Sequence, residues 1–508
     1  QIDVFLKGEF PAGFKKLANS TEEFLGLLKD RNSSKVHYRF ISPQDEVLGS
    51  NTLYGDSLVS MGAVPINLTV QKKAGESSNI IFPVAVMNYK DKQALVNLYP
   101  GASGRISQEE INSAEALMEY QFAKTLDKLV KDKKPGIAYS IGNGEVTDGR
   151  TYDLVQTLEQ EYIFKTVNIK SQPRIPEGED EKLKIDQFVM NGGKLLCFID
   201  NLIAEQDSLS IKPETIAFDR NLNLTDLFFR YGCRINTDLV MDLQCDLIPI
   251  VVGGTMENPQ MEFLHWNYFP VLNQVNSSSN KNLGYVASRF ANSIDTIQVE
   301  GIKKQPLLVS SPNSRIISTP ALISLNENKN TPEDEKFKRN AIPVAMLLEG
   351  EFTSLYRNRI SKSQQDSLSA YGSVFKSVSV LSKMIIVADG DIVLNDFIPR
   401  GGNDGQPEPI PMGWNKYTYT EYLKKSDFGK YFIPVANKDF LTNCLDQLVN
   451  NPAISETRNK DIVLRLIDSK KVKEQKTTWQ FINIALPVLL VLLFGWVYQQ
   501  VRKRKYAA

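Results

Sequence analysis

Histidine is nearly missing from this chain: His37 and His265 are the two in 508 residues. Acid–base enzymology is therefore poorly supplied. Cysteine is sparse as well, at Cys197, Cys233, Cys245 and Cys444. No CxxC and no cysteine–histidine grouping at zinc spacing occurs, which removes dithiol redox chemistry and a structural zinc site. A Cys233–Cys245 disulfide is open to the chain in an oxidising compartment; buried free thiols are the plainer reading. No GxxxxGK[ST] sequence occurs, so the chain does not hydrolyse nucleotide through a phosphate loop. No G-x-S-x-G or G-x-C-x-G elbow marks a nucleophile. Neither sign of charge prevails, with 59 basic and 59 acidic residues. That is not the basic face of a nucleic-acid binder, so neither DNA nor RNA is expected as a partner. No cofactor is expected.

What is present is globular protein, 42% hydrophobic and 23% charged. Its length suits two to four domains at about 100–200 residues each. Long apolar runs are absent except one. From Ile482 to Tyr498 no residue is charged, and Phe481 and Val501 extend the run to about 20 positions, enough to cross a bilayer as a helix. Pro487 is placed in its first turns, where a missing N–H matters least. Trp479, Trp496 and Tyr498 stand near the two ends, at interfacial depth, and Gly495 lies among the span residues. A basic tail follows, Arg502-Lys503-Arg504-Lys505. Before the span stand Lys470, Lys471, Lys473 and Lys476, so the positive-inside tally is a tie; packing of the tail directly against the span tips it towards a cytoplasmic C-terminus. The chain opens at Gln1 in an apolar run with no signal peptide in view. With a leader or first membrane helix upstream, residues 1–478 lie outside the cytoplasm; without one, the chain is tail-anchored and faces the cytoplasm.

Residues 1–134 read as strand "IDVFLKG", helix "FKKLANSTEEFLGLLKDR" with an N-cap offered by Asn19, Ser20 or Thr21, and strand "VHYRFISP". Three alternating runs follow, broken at "KAGESSN" and "NYKDKQ". A long amphipathic helix then opens on a Ser107–Glu110 capping box and stops at Pro135-Gly136. This order is that of a thioredoxin-like domain, here without the CxxC that its redox chemistry needs. Residues 135–460 read as α/β winding with parallel strands: "PGIAYSIGNGE", the helix "TYDLVQTLEQEY", "FKTVNI", then helix, Gly192-Gly193 stop and buried strand in "EKLKIDQFVMNGGKLLCFIDNL". Polar stretches at 276–282 and 326–340 read as loops, residues 461–478 as a stalk, 479–501 as the transmembrane helix and 502–508 as the tail.

Several residues are candidates for chemistry or contact. "VADGDIVLND" puts Asp389, Asp391 and Asp396 near a strand's carboxyl end, and "FIDN" puts Asp200 at another. Convergent oxygens there suit a hard cation or a polar ligand; turn-forming aspartates are the commoner meaning. "SIGNGE" (140–145) sits between strand and helix, where α/β folds bind ligands, but without a phosphate-binding fingerprint it reads as a tight turn. Arg357 and Arg359 in "LEGEFTSLYRNRI" suit a partner contact or a solvated turn. His265 lies among aromatics in "FLHWNYFP" and reads as a packed histidine.

"VFLKGEFPAGFKKL", "FVMNGGKLLCFIDN", "LFFRYGCRINTDLVMDL", "PVAMLLEGEFTSLYRNR", "ADGDIVLNDF" and "INIALPVLLVLLFGWVYQQVRKRKY" together resemble the GldG family of gliding-motility-associated ABC transporter auxiliary proteins of Bacteroidota, along the whole chain. The central α/β unit also resembles the domain shared with intraflagellar transport proteins, related to class I glutamine amidotransferase folds. The resemblance implies a membrane helix before residue 1, a periplasmic body, a final helix in the inner membrane and a cytoplasmic C-terminus. It implies an ABC permease subunit and a separate ATPase subunit as partners, with envelope machinery beyond them, and no catalytic residues. The amidotransferase chemistry would need a Cys–His–Glu set; Cys197 sits within a strand, not at an elbow. A periplasmic binding protein for a glycan or peptide is the alternative, and a membrane-tethered hydrolase a third.

Overall fold

The computed structural model describes residues 1–506 except 9, 48, 50–51, 64, 73–74, 100–107, 132–133, 171–179, 205–208, 210–211, 256–257, 276–283, 326–333, 340, 371–373, 400–406, 424–434 and 450–468. The chain divides into two compact units, Gln1–Asp461 and Ile462–Ala508. The fold of the first is mixed α/β.

The first unit opens with β1 (Ile2–Val4), α1 (Ala12–Arg31), β2 (Tyr38–Phe40), α2 (Tyr54–Ser60), the hairpins β3 (Ile66–Lys72)–β4 (Gly75–Ile81) and β5 (Val84–Tyr89)–β6 (Lys92–Asn97), and α3 (Gln108–Val130). Four strands form one sheet in the order β2-β1-β5-β6, with β1 and β2 parallel and the other pairs antiparallel. Alternation along β5 sorts its side chains to two faces. Ala85 and Met87 face Phe14 and Leu17 of α1 and Ile111, Met118 and Phe122 of α3. Val84 and Val86 face Leu58 of α2.

Two local expectations fail here. Asn19–Thr21 do not cap a helix but lie inside α1. The Thr21 hydroxyl donates to the Leu17 carbonyl at 2.7 Å and Ser20 donates to Glu115 at 2.5 Å, so both polar groups are satisfied without breaking the helix. "KAGESSN" is mostly strand β4, because a ladder from Ile66↔Ile81 to Lys72↔Gly75 overrides its weak β propensity. The Ser107 cap lies outside the described residues.

The rest of the unit begins with β7 (Gly136–Ile141), α4 (Tyr152–Glu161) and β8 (Ile163–Asn168), a parallel pair with its crossover helix. α5 (Asp180–Met190) ends at Gly192, whose φ of 93° an L side chain rarely adopts. The chain then enters β9 (Leu195–Phe198), β10 (Leu202–Ile203), β11 (Glu214–Asp219), α6 (Thr225–Tyr231), β12 (Cys233–Ile235), β13 (Asp238–Asp242), β14 (Cys245–Gly254) and β15 (Pro259–Gln274). Next come β16 (Tyr285–Ala287), β17 (Ile294–Thr296), β18 (Ile302–Val309), β19 (Ser314–Ser318), β20 (Ala321–Ser324), β21 (Pro343–Gly350), α7 (Lys362–Ala370) and β22 (Ser382–Val387). After them come the short antiparallel pair β23 (Phe397–Ile398) and β24 (Glu408–Pro409) and the helices α8 (Lys416–Leu423) and α9 (Asn437–Val449).

The largest sheet runs β14-β15-β18-β21-β22-β9, with β16 beside β15. Parallel pairing occurs in it at β22–β9, and the other pairs are antiparallel. Beyond the N-terminal sheet, parallel pairing among the described strands occurs at β7–β8, which are consecutive, and at β9–β22, which are not. Parallel neighbours need a crossover of a dozen or more residues, and the described chain from β14 to β21 has no helix longer than a single turn. The sixteen residues of β15 were not legible as a strand; Trp266, Tyr268 and Phe269 pack there with Phe290, and Trp266 Nε1 donates to the Ser324 carbonyl at 3.1 Å. All four cysteines are free, Cys233 on β12 and Cys245 on β14, and no disulfide joins them. Burial pushes the Cys197 and Cys233 thiols up to about 12.

The second unit contains α10 (Ser469–Tyr506), a helix of 38 residues. At 1.5 Å per residue it is about 57 Å long, against a hydrocarbon core of about 30 Å. Residues Ala485–Tyr506 are apolar and long enough to cross a membrane. Apolar side chains from Leu486 to Val501 are 42–73% exposed, Trp496 and Tyr498 among them. The side chains of Trp479 and Phe481 lie outside the described residues. Pro487 is not in the first turns, since the helix begins 18 residues earlier at Ser469. The lysine- and glutamine-rich stretch before the span favours helix and simply continues it, so Pro487 leaves the Asn483 carbonyl without its helical donor.

Trp266→Ala is expected to destabilise the first unit by about 3–5 kcal/mol, through the cavity it leaves among Tyr268, Phe269 and Phe290. Thermal unfolding of the purified chain checks this, and Trp266→Phe should recover most of the loss.

Candidate functional site

β9 and β22 lie side by side and parallel, with Phe198 opposite Val387. Two residues beyond each strand stands an aspartate, Asp200 and Asp389. Matched register therefore delivers both carboxylates to the same end of the sheet. Gly390 N–H donates to Asp200 Oδ1 at 2.5 Å. A Cβ at Gly390 would sit 2.7 Å from Asp200 Oδ2, so this approach requires glycine. Asp389 is 1% exposed and accepts the backbone N–H groups of Arg289, at 2.7 Å, and Asp391, at 2.8 Å. The Arg289 guanidinium reaches Asp396 at 3.1 and 2.8 Å and lies over the Phe269 ring at 5.6 Å.

The loop after β7 closes the same end. Asn395 N–H donates to the Arg150 carbonyl at 2.9 Å, and its side-chain oxygen accepts from Asp153 N–H at 3.0 Å. A Cβ at Gly149 would meet the Phe397 ring at 2.7 Å. "SIGNGE" thus turns into a segment seated beside the carboxylates.

Like charges crowd here around one buried carboxylate, Asp389, with Asp200, Asp391 and Asp396 half-buried beside it. Burial lifts Asp389 well above the ordinary carboxylate range, with Asp391 and Asp200 adding to it. Burial, then Asp200, pushes Asp391 up to about 7, against the pull of Arg289 and Arg150. Burial also raises Asp200, opposed by the Gly390 N–H and by Arg220. Asp396 goes the other way: burial alone would raise it, but Arg289 outweighs that and holds it below its usual range. The group can hold a proton near neutral pH. Among the described residues, no set of three or more His, Cys, Asp or Glu side chains is placed to hold a metal ion.

The two best-formed cavities among the described residues hold about 10 and about 60 Å³. The larger is lined by Asp246, His265, Trp414 and Asn415 among others. Ligand pockets usually measure about 300–1,000 Å³. His265 Nδ1 lies 2.9 Å from the Cys245 carbonyl oxygen, whereas Cys197 packs against a different core with Met384 and Ile386. Arg357 and Arg359 stand on another turn, away from the converged aspartates in the hydrogen-bond pattern. Both are exposed, and Arg359 reaches Asp226 at 3.8 Å.

That turn is held by a residue the sequence reading missed. Asp186 is fully buried and accepts Ser354 Oγ at 2.6 Å, Leu355 N–H at 2.9 Å, Tyr231 Oη at 2.9 Å and Gln187 Nε2 at 3.0 Å. Its signal was a carboxylate three residues after Leu183 and four before Met190, on the apolar stripe of α5.

A mixed α/β body is followed in this chain by an exposed apolar helix. Residues 134–444 match the ABC_transp_aux family, described as an ABC-type uncharacterized transport system, and the chain belongs to that family. Residues 1–88 match a domain of unknown function, DUF7088. No curated protein and no solved structure matches the chain. Membership associates the chain with an ABC transport system and its membrane components.

A pH dependence follows from the raised carboxyls. Between about pH 4 and pH 7 the folded chain holds protons that the unfolded chain has released. Stability from this group is therefore full below the unfolded value and is lost as pH rises, by up to about 1.4 kcal/mol per pH unit per proton. Asp391→Asn should flatten that decline in a thermal-melt series from pH 4 to 8. A variant as steep as the parent would contradict the assignment.

Proposed function

We propose that this chain is a non-catalytic, membrane-anchored auxiliary subunit of an ABC transporter complex, coupling a permease subunit and a separate ATPase subunit to the cell envelope. The observation that carries the reading is the family match over residues 134–444. The exposed apolar face of α10 and the tail Arg502–Lys505 support an anchor whose basic end meets anionic headgroups. The missing phosphate loop fits ATP hydrolysis on another chain. The GldG-like stretches support a link to gliding motility and cell-surface secretion, with the body in the periplasm, the helix in the inner membrane and the C-terminus in the cytoplasm.

The sheet order β2-β1-β5-β6, with its one parallel pair and helices α1 and α3 on one face, supports a thioredoxin-like scaffold for the N-terminal part. No cysteine precedes Cys197 there, so the scaffold would work without thiols. The parallel β7–β8 and β9–β22 pairs support an amidotransferase-like ancestry for the second part. The raised Cys197 thiol favours a fold without that activity. Binding of a glycan or peptide is the alternative reading, which the cavity lined by Asp246, His265, Trp414 and Asn415 would have to serve.

The test is affinity purification of the tagged full chain from detergent-solubilised membranes, with the eluate assayed for ATP hydrolysis. Co-elution of an ATPase and a polytopic permease is expected, and its loss when residues 479–508 are exchanged for an unrelated span. A chain that elutes alone with either helix would overturn the reading.

A further inference from the structure

The first unit has two sets of apolar cores. One set draws on residues 2–129, the other on residues 137–449, and among the described residues no cluster joins them. The junction between them is polar instead. Tyr120, Lys124 and Lys128 recur at four-residue spacing on α3 and so share a face. Tyr120 donates its hydroxyl to Asp446 on α9. Lys124 Nζ lies 3.0 Å from Asp446 Oδ2 and 3.5 Å from Glu161 Oε2, at the end of α4. Lys128 Nζ lies 3.8 Å from Glu161 Oε1. Tyr120 and Asp446 are each 4% exposed, so the centre of this contact is dry. Burial alone would lower Lys124, but the two carboxylates outweigh it and hold its pKa above the ordinary value.

α9 does more than receive this contact. At its other end Asn437 donates to the carbonyls of Ile392 and Ala287, each at 2.9 Å, and accepts from Ala287 N–H at 2.9 Å. Lys438 reaches Asp153 at 3.0 Å. One 13-residue helix therefore touches the turn that carries Asp389 and Asp391 at its start and the N-terminal part near its end. Contacts between domains that are small and polar leave relative motion as the default. A buried ion pair of this kind is held by geometry: displacing one partner strands the other's charge.

We propose that Tyr120, Lys124, Asp446 and Glu161 form a latch, which fixes residues 1–131 against α9 and frees them as a rigid body when α9 is displaced. The latch stands on this junction alone and does not require the transporter assignment.

Spin labels report it directly. The full chain in detergent carries labels at Ser33→Cys and Glu300→Cys, both exposed sites on opposite sides of the junction. The distance distribution should be narrow in the parent. Lys124→Met and Asp446→Asn should each broaden it about twofold, and the double variant should be no broader than the wider single one, as expected of groups acting as a unit. Circular dichroism checks that the folds are kept. If Asp446→Asn does not fold, Lys124→Met paired with Glu161→Gln carries the test. Unchanged widths in folded variants would overturn the latch, whatever the purification experiment gives.

Discussion

Buried aspartates that accept hydrogen bonds from distant parts of the chain are the interaction on which this structure depends. Asp186 holds Ser354 and Leu355, Asp238 holds Ser293, Asp242 holds Ser311, Asp389 holds Arg289 and Asp446 holds Tyr120. In most of these the donor includes a backbone N–H. The reason lies in the topology. Hairpins and long connections bring strands together without a helix to cover their ends, and each exposed end needs its polar groups met. A carboxylate meets two or three at once, and each charge-assisted bond contributes about 1.5–3 kcal/mol net. The cost is desolvation, which is visible in the upward shifts of Asp238, Asp242 and Asp389.

Much of this was legible where one local rule acts alone. "FVMNGGKLLCFIDN" reads directly as helix, glycine stop, strand and strand-end aspartate, and α5, Gly192, β9 and Asp200 are found in that order. "SKMIIVAD" likewise gives β22 and Asp389. What the sequence could not state is that these two strands are neighbours in register, because pairing is a property of the whole sheet. For the same reason Asp200 appeared as a candidate apart from Asp389, Asp391 and Asp396. β15 hid behind its aromatics, since "MEFLHWNYFPVL" has too few polar residues on its inner half to show alternation. α1 was legible as a helix, but its Ser20 and Thr21 resembled a cap until Glu115 and the Leu17 carbonyl were seen to take their hydroxyls.

The N-terminal sheet shows how topology and chemistry part company. Its strand order and paired helices build a complete small layer with cores on both faces. Its sequence carries no cysteine, and apolar side chains line both faces of the sheet. A scaffold of this kind can be kept for its outline, and function then resides in what its surface is fastened to.

The uninterrupted run of α10 from Ser469 into the apolar segment has a mechanical meaning. At 1.5 Å per residue its first 16 residues, 469–484, add roughly 24 Å of helix ahead of the apolar segment that begins at Ala485. A flexible tether bends anywhere along its length; a continuous helix bends at defined points and passes twist along its own axis. Pro487 interrupts that shaft just inside the apolar segment, and a missing helical bond there makes it the weakest point in bending. Tilt is thereby concentrated at one point while twist passes along the rest, so α10 behaves less like a rope than like a jointed rod.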